Sequence, residues 1–168
     1  MIRLAIPLLL AMALSAADEL RFTKDNELIR PEEYRHWVFV GSSYAMSYRE
    51  EGPAQKNFHN TYIAPQSWEH FRKTGKFPEK TVLLLETYAS GSQESINREG
   101  SFEDRFLGLS AAVKDSSRFK EGWAYFSFGE NRKTAKAFPK EDCWACHNKH
   151  AALDNVFVQF YPVLRRAR

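Results

Sequence analysis

The chain has 168 residues, with 24 lysines and arginines against 21 aspartates and glutamates, and a formal net charge of +3. This nearly balanced charge gives no reason to expect nucleic acid or an anionic membrane as a partner, because both select strongly basic proteins. Aromatic residues make up 14% of the chain, so one domain of this size can bury a large apolar core or surround a flat apolar ligand.

The N-terminus has the pattern of a cleavable export signal. Arg3 gives a basic start, an apolar run of eleven residues spans 4–14, and small residues at 15–17 precede Asp18. A membrane-spanning helix needs roughly 20 apolar residues, and no cysteine directly follows the run to carry a lipid. We therefore predict removal of a signal peptide, 1–17, which leaves a single domain, 18–168, in the periplasm or otherwise exported.

Short strands and two helices are expected in the first half of this domain. Arg30-Pro31-Glu32-Glu33 has the features of a helix start, and residues 38–40 form a short β-prone run. Residues 58–63 alternate apolar and polar side chains, as a half-buried strand does. Pro65 then opens a predicted helix, which Thr74-Gly75 closes.

The second half continues with further β-prone segments. Residues 81–85 form a continuous apolar run, which predicts a strand with both faces covered. Residues 106–113 fit either a strand or a helix, 123–128 alternate like a strand, and the polar segment 89–100 is expected to be a flexible loop. Together the elements predict an α+β fold, mainly an antiparallel β-sheet with flanking helices.

Near the C-terminus, Cys143-Trp144-Ala145-Cys146-His147 forms a C-x-x-C-H sequence, and residues 140–142 can cap a helix that carries it. C-x-x-C-H is the attachment signature of c-type haem. On one helical turn, two thiols can bond to the two vinyl groups along one porphyrin edge, and the adjacent histidine then lies under the iron. The motif predicts one covalently attached haem c, bound through Cys143 and Cys146, with His147 as the axial iron ligand.

Three other interpretations of the cysteine pair are weaker. A thioredoxin-like dithiol is expected near the N-terminus of a βαβ unit, whereas this pair is close to the C-terminus. A zinc site of Cys143, Cys146, His147 and His150 would crowd four ligands into eight residues. A disulfide between the two cysteines would close a strained small ring.

The sixth ligand of the iron determines what the haem does. Electron-transfer cytochromes use sulfur or imidazole there, but the predicted mature chain has one methionine, Met46, and the motif order is inverted relative to the small electron carriers. The remaining imidazole candidates are His36, His59, His70 and His150. Each of these residues is better explained as solvated or structural, so we favour a five-coordinate iron with an open site. Such an iron binds small molecules.

Motifs over nearly the whole mature chain occur in a specific order. Around the C-x-x-C-H sequence they are Tyr34-Arg35-x-Trp37-Val38-Phe39-Val40-Gly41, Tyr62-Ile63-x-Pro65, Thr74-Gly75-Lys76-Phe77-Pro78, Gly122-Trp123-Ala124-Tyr125-Phe126, Phe138-Pro139-Lys140-Glu141 and Asp154-Asn155-Val156-Phe157-Val158-Gln159-Phe160. In these motifs the chain resembles the cytochrome P460 family. The resemblance implies a mostly antiparallel β domain with flanking helices, a c-type haem and a homodimer.

The family has two functional branches. One oxidises hydroxylamine at a haem whose porphyrin is cross-linked to a lysine, and the other, the cytochromes c′-beta, lacks that bond and binds nitric oxide and similar gases. In our alignment Leu85 stands where the lysine would be, and the nearest lysine, Lys80, is roughly 16 Å away along an extended chain. The resemblance therefore implies the c′-beta type, without the cross-link.

The same alignment places His59 at a distal arginine of the oxidising branch, where it would bind a ligand or donate a proton; otherwise it is a sheet residue. The expected apolar pocket wall is Leu83, Leu85, Phe102 and Phe106, which would favour neutral diatomic molecules. The prediction is a periplasmic monohaem cytochrome that binds nitric oxide or a similar small molecule, with an unidentified redox partner. The alternatives are an enzyme that oxidises hydroxylamine or nitric oxide, a peroxidase-like activity, or electron transfer with a sixth protein ligand.

Overall fold

The computed structural model describes residues 20–48 and 55–166, and the predicted signal peptide, 1–17, lies outside them. The described part contains seven strands, β1 (Leu28–Ile29), β2 (Val38–Tyr44), β3 (Asn57–Ile63), β4 (Val82–Gly91), β5 (Phe102–Lys114), β6 (Trp123–Gly129) and β7 (Thr134–Ala135). Its α-helices are α1 (Pro65–Thr74), α2 (Trp144–His150) and α3 (Pro162–Arg166). None of these helices is long and apolar enough to cross a membrane.

Five strands form one antiparallel sheet in the order β2-β3-β4-β5-β6, and β1 pairs with β7 in a small second sheet. Each strand of the large sheet is antiparallel to its neighbours. The predicted α+β fold is confirmed. The described strands contain no parallel βαβ unit, which a thioredoxin-like site would require.

The helix predicted after residue 64 is confirmed as α1. Pro65 occupies its first turn, where a missing N–H costs nothing. Gly75 ends the helix in the left-handed conformation, φ 68°, and its N–H donates to the Phe71 carbonyl at 2.7 Å. This conformation is nearly free of strain only for glycine. Farther upstream, the predicted helix start at residues 30–33 leads only into a 3₁₀ turn, Tyr34–His36.

The ambiguous segment 106–113 belongs to strand β5. It pairs with β4 on one side and β6 on the other, and these pairings bury Ala111 and Val113. The predicted loop at 89–100 is shorter than expected, because β4 continues to Gly91. A Cβ atom at Gly91 would lie 2.5 Å from the Phe102 ring across the hairpin, so any other residue there would force this ring to move.

Both faces of the sheet are covered, as the apolar run at 81–85 predicted. Val82 and Leu84 join one buried cluster, which includes Trp37, Phe126 and Phe128. Neighbouring Leu83 points to a second cluster on the opposite face, with members Ile63, Phe71, Phe77, Trp123, Tyr125, Val156, Val158 and Leu164. The second cluster joins the C-terminal segment to the sheet.

A buried carboxylate lies under the first of these faces. Glu86 is 2% exposed, and its oxygens accept hydrogen bonds from Tyr34 Oη at 2.5 Å and Tyr62 Oη at 3.2 Å. Arg35 Nη2 donates to the same carboxylate at 2.8 Å. Burial and the nearby carboxylate raise the pKa of Tyr62 to about 12. The tyrosines therefore stay protonated, as donors to Glu86.

Tyr34→Phe is expected to lower the free energy of unfolding by about 1.5–3 kcal/mol, because it removes a hydrogen bond to a buried charge. Urea denaturation measures the loss. Tyr44→Phe is the matched control, since Tyr44 is 41% exposed and its hydroxyl bonds two serines that are not buried, Ser101 at 3.0 Å and Ser90. Its loss should stay within about 0.5 kcal/mol. Equal losses in the two variants would contradict the importance of the Glu86 contact.

Candidate haem-binding site

The C-x-x-C-H segment forms the beginning of α2. Cys143 is the residue before the helix, and no side chain caps it, contrary to the cap expected from residues 140–142. The His147 N–H donates to the Cys143 carbonyl at 3.1 Å, so both cysteines and the histidine share one turn. Trp144 Nε1 anchors the turn by donating to the Glu121 carbonyl at 3.2 Å.

The two thiols have different surroundings. Cys143 is half-buried and Cys146 is exposed, and both are free. Burial raises the pKa of the Cys143 thiol, and Asp142 raises it further. Because no disulfide joins the two cysteines in this structure, each sulfur can form a bond to another group.

His147 is oriented by a hydrogen bond and by two rings. Its Nδ1 lies 2.8 Å from the Asn155 carbonyl oxygen. Since a carbonyl can only accept, Nδ1 carries the proton, and the lone pair of Nε2 is left for a metal. Tyr125 and Phe157 flank the imidazole at ring-centre distances of 4.3 and 4.5 Å. Burial lowers the pKa of His147, which favours the neutral form that binds metals.

A cavity of about 260 Å³ separates this segment from the sheet. Cys143 and His147 line one side of it. Residues that line it from other elements are Tyr48, Thr61, Leu83, Leu84, Leu85, Ser110, Ala111, Ala112, Tyr125, Phe126, Phe138, Phe157 and Tyr161. Thr61, Leu85 and Ser110 are register partners on β3, β4 and β5, so they form one row across the floor of the cavity.

Two of the four residues expected in the pocket wall reach the cavity. Leu83 and Leu85 line it, and Phe102 and Phe106 lie elsewhere. Phe106 packs against the cluster on the opposite face and contacts Tyr88, with a ring-centre distance of 5.4 Å. Phe102 is 37% exposed near the hairpin end. The β4–β5 register shifts twice around Tyr88, and such bulges change which face a side chain takes.

His59 lies on the cavity face of β3, one row beyond Thr61. Its register partners are Ser43 on β2 and Thr87 on β4, and it is not among the residues that line the cavity. Burial lowers the pKa of His59, so the imidazole is neutral at neutral pH. The distal role of His59 stays a prediction.

Acidification is expected to destabilise the protein partly through His59. Its folded-state pKa is depressed, so the unfolded chain binds the proton first, and the unfolding free energy falls as the pH drops below about 6.5. Urea denaturation from about pH 7.5 to about pH 5.5 measures this slope. His59→Gln should flatten it, whereas His70→Gln, at an exposed position on α1, should leave it as in the wild type. A slope unchanged in His59→Gln would contradict the burial effect.

The other candidates for a sixth ligand lie away from the cavity. His36, His70 and His150 are exposed, and none of them lines it. Met46 Sδ accepts a hydrogen bond from Tyr48 Oη at 3.6 Å, but Met46 is not a lining residue either. Within 20–48 and 55–166, no group of three or more His, Cys, Asp or Glu is placed to hold a metal ion, contrary to the zinc alternative.

No lysine in the described ranges lines the cavity. Lys80 precedes β4 with φ 66°, and its Nζ forms an ion pair with Asp115 Oδ2 at 2.5 Å. Lys80 is thus a turn residue that is paired with Asp115 outside the cavity. At the position where the oxidising branch would carry lysine, the cavity presents Leu85.

These residues fit a haem. Cys143 and Cys146 lie one turn apart beside an imidazole whose Nε2 is free for iron, and leucine and aromatic side chains suit the apolar faces of a porphyrin. Asn155 Oδ1 is buried, and no described residue bonds it. The Asn155 amide is therefore available to a polar substituent of a bound group, because a buried polar atom is normally paired.

Three residues around His147 were not among the predicted site residues. Tyr125, Asn155 and Phe157 lie 22 residues before, 8 residues after and 10 residues after His147 in the chain. The signal that could have found them is their place in the aromatic motifs 122–126 and 154–160. Nothing in those motifs indicates that a backbone carbonyl orients the histidine.

Comparison with known proteins adds one finding. A family model described as Cytochrome P460 matches residues 31–158. The match includes all five strands of the large sheet and the whole C-x-x-C-H segment. No curated protein matches the sequence at a significant level.

Proposed function

Since the chain belongs to the cytochrome P460 family, which implies a haem cofactor, we propose that it is a periplasmic monohaem c-type cytochrome of the c′-beta type. In this proposal Cys143 and Cys146 hold the haem covalently and His147 is the axial ligand. The iron binds nitric oxide or a similarly small molecule.

One observation carries the proposal. The cavity beside His147 presents Leu83 and Leu85 from the sheet, with no lysine of the described residues on its lining. A cross-link of the oxidising type needs an amine within bonding distance of the porphyrin. The lining is mostly apolar, with the hydroxyls of Thr61 and Ser110 beside Leu85, and such a lining favours neutral diatomic molecules over charged ligands.

The chain supports ligand binding in three ways. When bound, the haem supplies an iron that can take up a small gas at its open position. His147 is kept in one tautomer by the Asn155 carbonyl and in one orientation by the flanking Tyr125 and Phe157 rings. On that sheet face, His59 is the histidine nearest to the cavity, one row beyond its floor. We propose it as a polar neighbour of the bound ligand.

The optical spectrum of the reduced holoprotein tests the proposal. A five-coordinate high-spin spectrum is expected, together with a stoichiometric change on titration with nitric oxide and no turnover of hydroxylamine. A strongly red-shifted ferrous Soret band would indicate the cross-linked branch instead. A six-coordinate low-spin ferrous spectrum would replace the open-site proposal by electron transfer with a sixth protein ligand.

Export and self-association are further parts of the proposal. The basic start and apolar run of residues 1–17 support export, which cell fractionation and the mass of the mature protein test. Strand β2 lies at an edge of the large sheet and exposes Phe39 and Tyr44, which supports pairing of two copies. Light scattering should then give the mass of a dimer.

A further inference from the structure

A tight turn follows α2 and carries the hydrogen-bond acceptor of His147. The Val156 N–H donates to the Leu153 carbonyl at 2.7 Å across this turn. Its central residues, Asp154 and Asn155, have φ values of 45° and 59°. Two consecutive left-handed residues are typical of a type I′ turn, which Asp and Asn adopt more readily than other non-glycine residues. The contacts of the turn then decide where it places the Asn155 carbonyl.

The side chain of Asp154 ties the turn to the sheet. Its Oδ1 accepts from Trp123 Nε1 at 3.0 Å, and its Oδ2 accepts from Lys114 Nζ at 2.7 Å. Lys114 and Trp123 are register partners at the end of β5 and the beginning of β6. Lys114 Nζ also donates to the Phe77 carbonyl at 2.9 Å, and its side chain is 19% exposed. The ammonium is therefore fixed from two directions.

Strand β6 holds the turn at a second point. Tyr125 Oη donates to the Asn155 carbonyl at 3.2 Å, the same oxygen that accepts from His147 Nδ1 at 2.8 Å. Trp123 and Tyr125 are two residues apart, so both project from the same face of the strand. One face of β6 thus fixes both the side chain of Asp154 and the carbonyl of Asn155.

We propose that Asp154 is a positioning residue of the haem site, because it holds the Asn155 carbonyl where His147 Nδ1 can donate to it. The inference rests on the proposed role of His147 as iron ligand. A hydrogen bond from Nδ1 makes the imidazole a stronger electron donor to the metal. Stronger donation favours the ferric state, so this bond lowers the reduction potential of the iron.

Asp154→Gly and Asp154→Asn in the holoprotein test the proposal. Glycine adopts φ 45° without strain, so Asp154→Gly keeps the turn conformation and removes only the anchor. We expect an upward shift of the reduction potential, and an iron–histidine stretching band at lower frequency in the resonance Raman spectrum of the ferrous protein. Asn keeps an oxygen for Trp123 but loses the ion pair with Lys114, so it should shift both values less.

Glu27→Gln is the matched control. Glu27 is also a partly exposed carboxylate, 25% accessible, which accepts from a hydroxyl, Thr134 Oγ1 at 2.6 Å, and lies 4.0 Å from a lysine, Lys136. It is bonded to the small β1–β7 sheet and not to the turn. The control should leave the potential and the iron–histidine band at their wild-type values, even if it lowers stability.

Lys114→Met removes the same ion pair from the partner side and gives a second test should Asp154→Gly fail to mature. The positioning role would be overturned if Asp154→Gly had the wild-type reduction potential and iron–histidine band. The same result in Lys114→Met would overturn it when Asp154→Gly cannot be obtained. So would equal shifts in Glu27→Gln, since the effect would then follow stability alone. Absence of an iron–histidine band in the wild-type protein would instead reject the proposed function, so the two failures are distinguishable.

Discussion

Replacement of Cys146 by alanine is expected to abolish normal two-bond attachment of the haem. Cys146 is exposed and lies on the same turn as half-buried Cys143. A haem held as proposed would be bonded by one half-buried sulfur and one exposed sulfur. With one sulfur removed, at most a single thioether can form. The haem of the variant should be incompletely attached or lost on denaturation.

Mass spectrometry of the purified chain and haem staining after denaturing electrophoresis measure attachment, and the pyridine haemochrome spectrum counts the reacted vinyl groups. His150→Ala is the control, because His150 is exposed at the end of the same helix and does not line the cavity. It should mature normally. Recovery of fully attached holoprotein from Cys146→Ala would refute the assignment of the site.

Replacement of Leu85 by lysine is expected to move the protein toward the cross-linked branch. Leu85 lies on the cavity floor between Thr61 and Ser110. A lysine there would place its amine in an apolar cavity, where burial lowers the pKa and favours the neutral, nucleophilic form. Bonding Nζ to a porphyrin carbon removes two electrons and two protons, so hydrogen peroxide is supplied as oxidant and is reduced to water.

A strongly red-shifted ferrous Soret band, together with a peptide that carries both the thioethers and the lysine bond, is the expected result. Leu85→Met keeps the volume without an amine, and Thr87→Lys puts an amine one row farther along the same face. Neither should change the spectrum in this way. If Leu85→Lys retains the wild-type spectrum after peroxide treatment, the alignment that places Leu85 at the lysine position is wrong.

Features coded by local sequence were predictable. Helix α1 is marked at both ends, by Pro65 and by Gly75, and both signals act within one turn of the backbone. The two covered faces of β4 followed from an apolar run too short for a helix and too continuous for a half-exposed strand. C-x-x-C-H is likewise local, because its chemistry depends on spacing within a single turn.

The rest of the site depends on contacts between distant segments. Phe106 was expected in the pocket wall because it is large and apolar. Two register shifts in the pairing of β4 with β5 decide which face it takes, and the sequence does not indicate them. The acceptor for His147 is a backbone carbonyl. Every residue has such a carbonyl, so the residue type does not indicate which one accepts. Segment 106–113 was ambiguous for a similar reason, since alanine favours helix until strands on both sides pair with it.

Adjacent residues of β4 face opposite environments, Leu85 the cavity and Glu86 the tyrosine hydroxyls beneath the sheet. A slip of one residue in the pairing of this strand would exchange them. The carboxylate would then enter the mostly apolar cavity, and the leucine would leave the hydroxyls of Tyr34 and Tyr62 and the Arg35 guanidinium without their acceptor. A misregistered β4 is thus destabilised on both faces at once, so the alignment of this strand is specified by contacts within the polypeptide alone.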